Sequence, residues 1–263
     1  MEMILMAAAL TWLYLPPFLR VLEKCRLERS NYTGQSIPLS AGLVLAFTIT
    51  WTVALALLWE WYPSYQAARL LLIVNGFALV GLLDDISEGS DAKGWSGHLR
   101  QLSAGTLSTG MVKVLYGGAL AVAVAVLEVE MGLDVVLNAT LITLGAALFN
   151  QLDVRPQRTT VAFLTLTPLL VLGGGWSAYL PVTPVVGAAL AYLPFDSKCR
   201  AMLGDSGANA LGATWGWAAG ALPSNWRWTI LLVTLALHLL GDKYSLHTLS
   251  QRWLGKSRDD QHS

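Results

Sequence analysis

The sequence predicts an all-α, polytopic integral membrane protein, and three observations lead to this prediction. Of the 263 residues, 54% are hydrophobic and only 13% are charged, whereas soluble domains carry about 25% charged residues. Apolar runs long enough to cross the hydrocarbon core of a bilayer recur along the chain. The alternating pattern of membrane β-strands is absent. These features argue against an ordinary soluble enzyme and against a disordered chain.

We predict nine transmembrane helices joined by short connections. The apolar runs are residues 2–22, 39–60, 67–83, 102–126, 135–150, 159–175, 177–194, 207–222 and 226–241. Residues 1–241 are therefore expected to form a single transmembrane domain. The tail, 242–263, carries Leu and Trp side chains at near-helical spacing, which is typical of an amphipathic helix on the membrane surface.

The basic residues predict the orientation of the chain. Most of the 17 Lys and Arg residues lie on alternate connections, and basic connections face the cytoplasm. This orientation puts the N-terminus outside, the C-terminus in the cytoplasm and the protein in the cell inner (plasma) membrane. The acidic residues also number 17, so the net charge is zero, which argues against nucleic acid as a partner.

Aspartates gather at the predicted cytoplasmic ends of the spans. These are Asp84 and Asp85 after the third span, Asp153 after the fifth, and Asp196 and Asp205 after the seventh. Adjacent carboxylates such as Asp84 and Asp85 repel each other and oppose the dipole of a helix C-terminus. Mg²⁺ relieves this cost, because it prefers one or two carboxylates with phosphate oxygens and water. We predict both as catalytic and Asp85 also as a metal ligand; a solvated acidic helix end is the alternative.

Asn150 and Asp153 form the second candidate pair. They are three residues apart and share one face if the helix continues. An amide and a carboxylate together suit a phosphate–metal complex, so we predict that Asn150 binds substrate and that Asp153 is catalytic. The alternative is a plain helix stop, with Asn150 as a cap and Pro156 as the breaker.

The Gly-Asp-Ser-Gly sequence at residues 204–207 comes just before the eighth span. A helix N-terminus can bind phosphate through its free N–H groups. We predict Asp205 as a metal ligand and Ser206 as a substrate-binding residue. One of the two is also expected to be the helix N-cap, and a plain N-cap is the alternative.

Basic residues complete the set. Lys113 lies inside the fourth span, where it meets an anion if it faces the bundle or extends to the interface if it does not. Arg100, Arg155 and Arg158 are cytoplasmic candidates for phosphate contacts. For Arg155 and Arg158, anchoring to lipid headgroups is the alternative. These residues and the aspartates together predict phosphoryl transfer with Mg²⁺ and a lipid substrate at the membrane surface.

Four motifs occur in order along the chain. They are Gly81-Leu82-Leu83-Asp84-Asp85, Thr109-Gly110 with Lys113, Asn150-x-x-Asp153, and Leu203-Gly204-Asp205-Ser206-Gly207 with Leu211-Gly212. In this order they resemble the polyprenyl-phosphate N-acetylhexosamine-1-phosphate transferases, which include the enzyme that makes the first lipid intermediate of peptidoglycan. The stretch 29–42 resembles the first cytoplasmic loop of that family, and the resemblance extends over residues 20–215.

The resemblance implies an integral Mg²⁺-dependent enzyme that transfers a sugar-1-phosphate from a UDP-sugar to undecaprenyl phosphate and releases UMP. It implies that Asp205 binds Mg²⁺ and that Asp84 and Asp85 handle the metal and the lipid phosphate. Asn150 and Asp153 would line the nucleotide–metal site. Arg100 stands where the family often has a lysine near the diphosphate. Whether an aspartate attacks phosphorus or deprotonates the lipid phosphate is left open, as is the formation of a homodimer.

Three features depart from the family pattern. Val154-Arg155-Pro156 follows Asp153, where the family has Gly and a second Asp. The His-rich cytoplasmic loop has no match, and a tenth span is missing. These departures leave the sugar open, and we predict that Arg155 and Arg158 take over part of the contact with the nucleotide sugar.

Two other functions remain as alternatives. One is a different membrane phosphotransferase, such as a CDP-alcohol phosphatidyltransferase, although the chain lacks the Asp-Gly-x-x-Ala-Arg sequence of that class. The other is a non-catalytic protein that binds polyprenyl phosphate on the same scaffold. The first alternative predicts release of CMP from a CDP-lipid. The second predicts lipid binding without turnover.

Overall fold

The computed structural model describes residues 1–31, 33–87, 109–129 and 132–243. Its α-helices are α1 (Glu2–Lys24), α2 (Gly42–Leu58), α3 (Ser64–Ile86), α4 (Thr109–Val126), α5 (Leu133–Leu152), α6 (Arg158–Tyr179), α7 (Thr183–Ser197), α8 (Gly204–Gly220) and α9 (Ser224–Lys243). A short 3₁₀ turn, Leu180–Val182, joins α6 to α7. The predicted all-α fold is confirmed. The predicted surface helix of the tail and Arg100 lie outside the described residues.

Several helices have the length and composition of membrane spans. Among the described residues, four continuous helical segments are long and apolar enough to cross a membrane: α1, α3, α5 and the segment Arg158–Ser197, which comprises α6 and α7. α2 and most of α4 are shorter apolar helices. Leu, Val and Trp side chains remain exposed on many of these helices, as is expected of surfaces that contact lipid rather than water.

The helix α8 forms the centre of the bundle. Nearly all of its residues are buried, and its most extensive contacts are with α5 and α3. Small residues allow this close packing. A Cβ atom on Gly81 of α3 would collide with the backbone of Asp205 and Ser206, so only glycine fits there. The C-terminal end of α3 therefore lies directly against the start of α8.

A small antiparallel hairpin follows α1. Its strands are β1 (Glu28–Ser30) and β2 (Ser36–Pro38), and the sequence analysis did not predict them because three-residue strands are too short for an alternating pattern. The Met202 N–H donates to the Pro38 carbonyl oxygen at 2.8 Å, and the Ala41 N–H donates to the Met202 carbonyl oxygen at 3.0 Å. These bonds fix the segment before α8 against the hairpin and the start of α2.

Candidate active site

Four polar side chains from four different helices meet at the N-terminal end of α8. The Lys113 ammonium on α4 lies 3.0 Å from Asp84 Oδ2 on α3 and 3.2 Å from Asp205 Oδ2 on α8. The Asn150 amide on α5 donates to the same Asp205 oxygen at 3.2 Å. We call Asp84, Lys113, Asn150 and Asp205 the central cluster. The fold thus joins residues from all four sequence motifs.

The central cluster carries an excess of negative charge. Two carboxylates face one ammonium, and the side chains of Lys113, Asp84 and Asp205 are only 27%, 30% and 30% exposed. A partly shielded carboxylate pair attracts further cations, since the low local dielectric strengthens the interaction.

The donor set is compatible with Mg²⁺. Within the described ranges, no group of three or more His, Cys, Asp or Glu side chains could hold a metal ion. Mg²⁺ does not require one, because it is commonly held by one or two carboxylates together with substrate phosphates and water. Asp84 and Asp205 supply two carboxylates that already converge on one cation, the Lys113 ammonium. These two residues therefore fit a magnesium ion whose remaining ligands would be phosphate oxygens or water.

Asp85 has a different environment from Asp84. Its Oδ1 accepts the N–H of Asp205 at 2.9 Å, and its Oδ2 accepts the N–H of Ser206 at 3.2 Å and the hydroxyl of Ser40 at 2.7 Å. Because the first N–H groups of a helix have no partner within it, this carboxylate caps α8 from another helix. Asp85 is thus a positioning residue for Asp205, and its predicted roles in metal binding and catalysis stay predictions.

The predicted N-cap of α8 is wrong. The helix begins at Gly204, one residue before Asp205, and Leu203 is the N-cap without a side-chain hydrogen bond. The carboxylate of Asp85 supplies the acceptor, so neither Asp205 nor Ser206 has to cap its own helix. Gly204 has φ +71°, and a Cβ there would lie 2.6 Å from Asp85 Oδ2, which makes glycine necessary at this contact.

A cavity of about 180 Å³ opens beside the central cluster. We call it the charged cavity, because acidic and basic residues from five segments line it. These residues are Arg29, Asp85, Asp153, Arg155, Asp196 and Asp205. Backbone and apolar atoms of the segment 201–204 complete its wall. The cavity can therefore hold a charged, hydrogen-bonding ligand next to Asp205.

Asp153 is the C-cap of α5 and lines the charged cavity. Burial raises the pKa of its carboxyl from the usual 3.8 to about 7, although a hydrogen bond with Thr159 opposes this effect. The negative charge of Asp196 adds to the increase in the pKa of Asp153. A carboxyl group with such a pKa changes its ionisation near neutral pH.

Asp196 is a residue of this cavity to which the sequence analysis assigned no role. It lies near the end of α7 and is only 5% exposed, and its Oδ2 accepts the Thr160 hydroxyl at 2.8 Å. The backbone of Gln157 also donates to its carboxylate. Asp196 thus holds the turn between α5 and α6, which carries Asp153 and Arg155. The only sequence signal was its position at the predicted cytoplasmic end of a span.

The predicted arginines Arg155 and Arg158 differ in their position relative to the charged cavity. Arg155 is exposed and lines the charged cavity, whereas Arg158 begins α6 and is not among the lining residues. Arg29 of the hairpin also lines the cavity, and its guanidinium donates to the Asp85 carbonyl oxygen at 3.4 Å. In the sequence, Arg29 belongs to the stretch 29–42 that resembles a family loop, and it was not predicted as a site residue. Ser206 is fully buried, with its hydroxyl 3.4 Å from the Leu203 carbonyl oxygen.

A second cavity is lined in part by Lys113. It has a volume of about 440 Å³ and is lined mainly by apolar atoms of α3, α4 and α5, including those of Phe77, Val80, Val114 and Leu144. Lys113 and Asn209 contribute polar groups to its lining. We call it the apolar groove.

No protein-family model matches the chain, and a search of curated proteins also finds no match.

Proposed function

We propose that this protein is a Mg²⁺-dependent transferase that moves a sugar-1-phosphate from a UDP-sugar to undecaprenyl phosphate and releases UMP. One observation carries the proposal: the charged cavity and the apolar groove meet at the central cluster. Asp205 lines the cavity, Lys113 lines the groove, and their side chains are 3.2 Å apart. A water-soluble donor and a lipid acceptor need such a junction in order to react.

We propose that each of the helices α1 to α9 crosses the inner membrane, with the N-terminus outside and the C-terminus in the cytoplasm. Taken in chain order, each described helix overlaps one of the nine apolar runs of the sequence, which supports this count. The central cluster then faces the cytoplasm, because it lies at the same end of the bundle as Arg29 and Arg155. Basic residues favour that side of a membrane.

In this proposal, Asp84 and Asp205 hold Mg²⁺, which would neutralise the charge that develops on the transferred phosphoryl group. Asn150 keeps Asp205 oriented through its amide hydrogen bond. Asp85 fixes the start of α8, and therefore the position of Asp205, through two backbone N–H groups. The metal-binding geometry thus depends on a carboxylate that need not touch the metal.

The remaining residues bind the two substrates. Arg29 and Arg155 are suited to the diphosphate of the donor, because guanidinium groups bind phosphate oxygens in pairs. Asp153 can accept hydrogen bonds from hydroxyl groups of the donor. Lys113 carries a positive charge at the groove end nearest Asp205, where it attracts the phosphate of the lipid.

The chemical step is a displacement at the phosphorus that carries the sugar. An oxygen of the lipid phosphate forms a bond to this phosphorus, and the bond from the phosphorus to the UMP oxygen breaks with its electron pair. The second pKa of a phosphate monoester is about 6, so the attacking oxygen is already ionised at neutral pH. The chain therefore has to position and neutralise the two phosphates rather than remove a proton.

The experiment is an assay of the purified chain in detergent with Mg²⁺, undecaprenyl phosphate and a panel of UDP-sugars. The proposal predicts UMP release that requires all three components and stops when EDTA is added. Release of CMP from a CDP-lipid would support another membrane phosphotransferase instead. Binding of undecaprenyl phosphate without turnover of any donor would support the non-catalytic binding protein.

A further inference from the structure

The polar groups of the apolar groove differ in their hydrogen bonding. Two threonines line the groove, and each donates its hydroxyl within its own helix: Thr140 to the Val136 carbonyl oxygen at 2.7 Å and Thr143 to the Ala139 carbonyl oxygen at 3.0 Å. The Lys113 ammonium is paired with two carboxylates of the central cluster. These three residues have partners within the protein.

Asn209 does not. Its side chain lines the groove from α8 and is only 1% exposed, and neither its amide oxygen nor its amide nitrogen has a hydrogen-bond partner in the described part of the chain. Leaving a buried amide unpaired costs free energy, because the group loses its hydrogen bonds to water and gains none in the protein. A leucine would occupy a similar volume without this cost, so the amide indicates a partner that comes from outside the protein.

The position of Asn209 indicates what kind of ligand would bind its amide. It lies four residues after Asp205 on α8, so both side chains are on the same helix face, about 6 Å apart along the axis. Asn209 therefore lies one turn deeper in the bundle than the central cluster. Both Asn209 and the positively charged Lys113 line the groove, so an anionic head group bound at Lys113 comes within reach of the amide.

We propose that Asn209 binds the phosphate end of the lipid acceptor by donating an N–H hydrogen bond to a phosphate oxygen. The identity of the lipid rests on the proposed function, but the hydrogen bond to a lipid phosphate does not require turnover. A neutral amide suits this position because it adds a donor without repelling the lysine or a nearby metal ion. It also distinguishes a lipid phosphate from the corresponding alcohol, which offers a weaker acceptor.

The test measures the binding of undecaprenyl phosphate and of undecaprenol to the full chain in detergent, without donor, by native mass spectrometry. Asn209→Leu is expected to weaken binding of the phosphate about tenfold, as is typical for loss of a hydrogen bond to a charged group, and to leave binding of the alcohol unchanged. Thr214→Val is the matched control, since Thr214 is a buried residue of α8 whose hydroxyl donates to the Ala210 carbonyl oxygen. Asn209→Ala replaces the leucine variant if the latter does not fold.

Two results would overturn the inference. One is an unchanged affinity for undecaprenyl phosphate in the folded Asn209 variant. The other is an equal loss for the phosphate and the alcohol, which would give Asn209 a purely structural role. Inorganic phosphate, added as a competitor, distinguishes a site for free phosphate from a site for the lipid. If the wild type binds the lipid phosphate through Asn209 but releases no UMP from any donor, the proposed function fails and this inference stands.

Discussion

The Lys113 ammonium and the Asp205 carboxylate form a 3.2 Å contact between α4 and α8 that separates two cavities of opposite character. Lys113 faces the apolar groove, and Asp205 faces the charged cavity. The same Asp205 oxygen also accepts the Asn150 amide. A change in either partner should therefore affect both the proposed metal site and the proposed lipid site.

Removing Lys113 should strengthen the binding of Mg²⁺ to the protein without substrates. The ammonium and the metal compete for the carboxylates of Asp84 and Asp205, and one such ion pair is worth up to about 1 kcal/mol. Lys113→Met should therefore lower the Kd for Mg²⁺ roughly fivefold, as measured by isothermal titration calorimetry. Lys113→Arg keeps the charge and is the control. Weaker Mg²⁺ binding in Lys113→Met would show that the lysine does not compete with the metal.

Substitutions of the two adjacent aspartates, Asp84 and Asp85, should affect different properties of the protein. Asp84→Asn should weaken Mg²⁺ binding and leave thermal stability nearly unchanged, because Asp84 belongs to the partly exposed central cluster. Asp85→Asn should lower the Tm in detergent, because its carboxylate accepts three hydrogen bonds, each worth roughly 1.5–3 kcal/mol when the acceptor is charged. Titration calorimetry and thermal unfolding measure the two effects. Equal losses in both variants would contradict the separate roles.

The two arginines near Asp153 form a matched pair. Arg155 lines the charged cavity and Arg158 does not, although both are exposed. Arg155→Lys should raise the KM for the UDP-sugar several-fold, because lysine cannot bind phosphate in a bidentate manner, and Arg158→Lys should not. An unchanged KM in both variants would leave them as anchors to lipid headgroups.

The carboxyl of Asp153 should make stability depend on pH. Its pKa is about 7 in the folded protein against the usual 3.8, so the folded state holds the proton more tightly. Folding stability from this group therefore falls as the pH rises from about 4 to about 7 and then levels off. Asp153→Asn should raise the Tm more at pH 8 than at pH 5. Glu23→Gln, at an exposed carboxylate, is the control, and a pH-independent gain for Asp153→Asn would contradict the expected shift.

Several helix ends could be predicted from the sequence, because apolar runs of limited length determine them. The prediction that Asp84 and Asp85 end a helix is confirmed, since α3 ends at Ile86. Asp153 follows α5 directly, also as expected. The order of the motifs also indicated which residues to consider together, but not which of them make contact.

The contacts that depend on distant residues could not be predicted. Asp85 caps a helix that begins more than 100 residues later, and no local pattern encodes that contact. Asp196 of α7 likewise accepts a hydrogen bond from Thr160 of α6 and so holds the turn between α5 and α6. Arg155 and Arg158 looked equivalent in the sequence, yet the left-handed residue Gln157 (φ +71°) between them turns the chain.

Asn209 illustrates a further limit of the sequence. In Gly207-Ala208-Asn209-Ala210 it is one polar residue in a helix of small residues, where an asparagine that faces a neighbouring helix is common. Only the packing of α8 against α3 and α5 brings its unpaired amide to the groove. The groove-lining part of the candidate site therefore depends on tertiary structure more than the aspartates do.

The most direct test of the central claim is the rate of UMP release by the Asp205→Asn variant with saturating Mg²⁺, UDP-sugar and undecaprenyl phosphate. Asparagine preserves the shape of the side chain and the backbone N–H that Asp85 accepts, so the variant should fold and retain the Tm of the wild type. Its Mg²⁺-dependent release of UMP is expected to fall about a hundredfold to a thousandfold, in line with the loss of electrostatic stabilisation of a transition state. A folded Asp205→Asn variant that releases UMP at a rate close to that of the wild type under the same saturating conditions would contradict the assignment of Asp205 as a metal ligand.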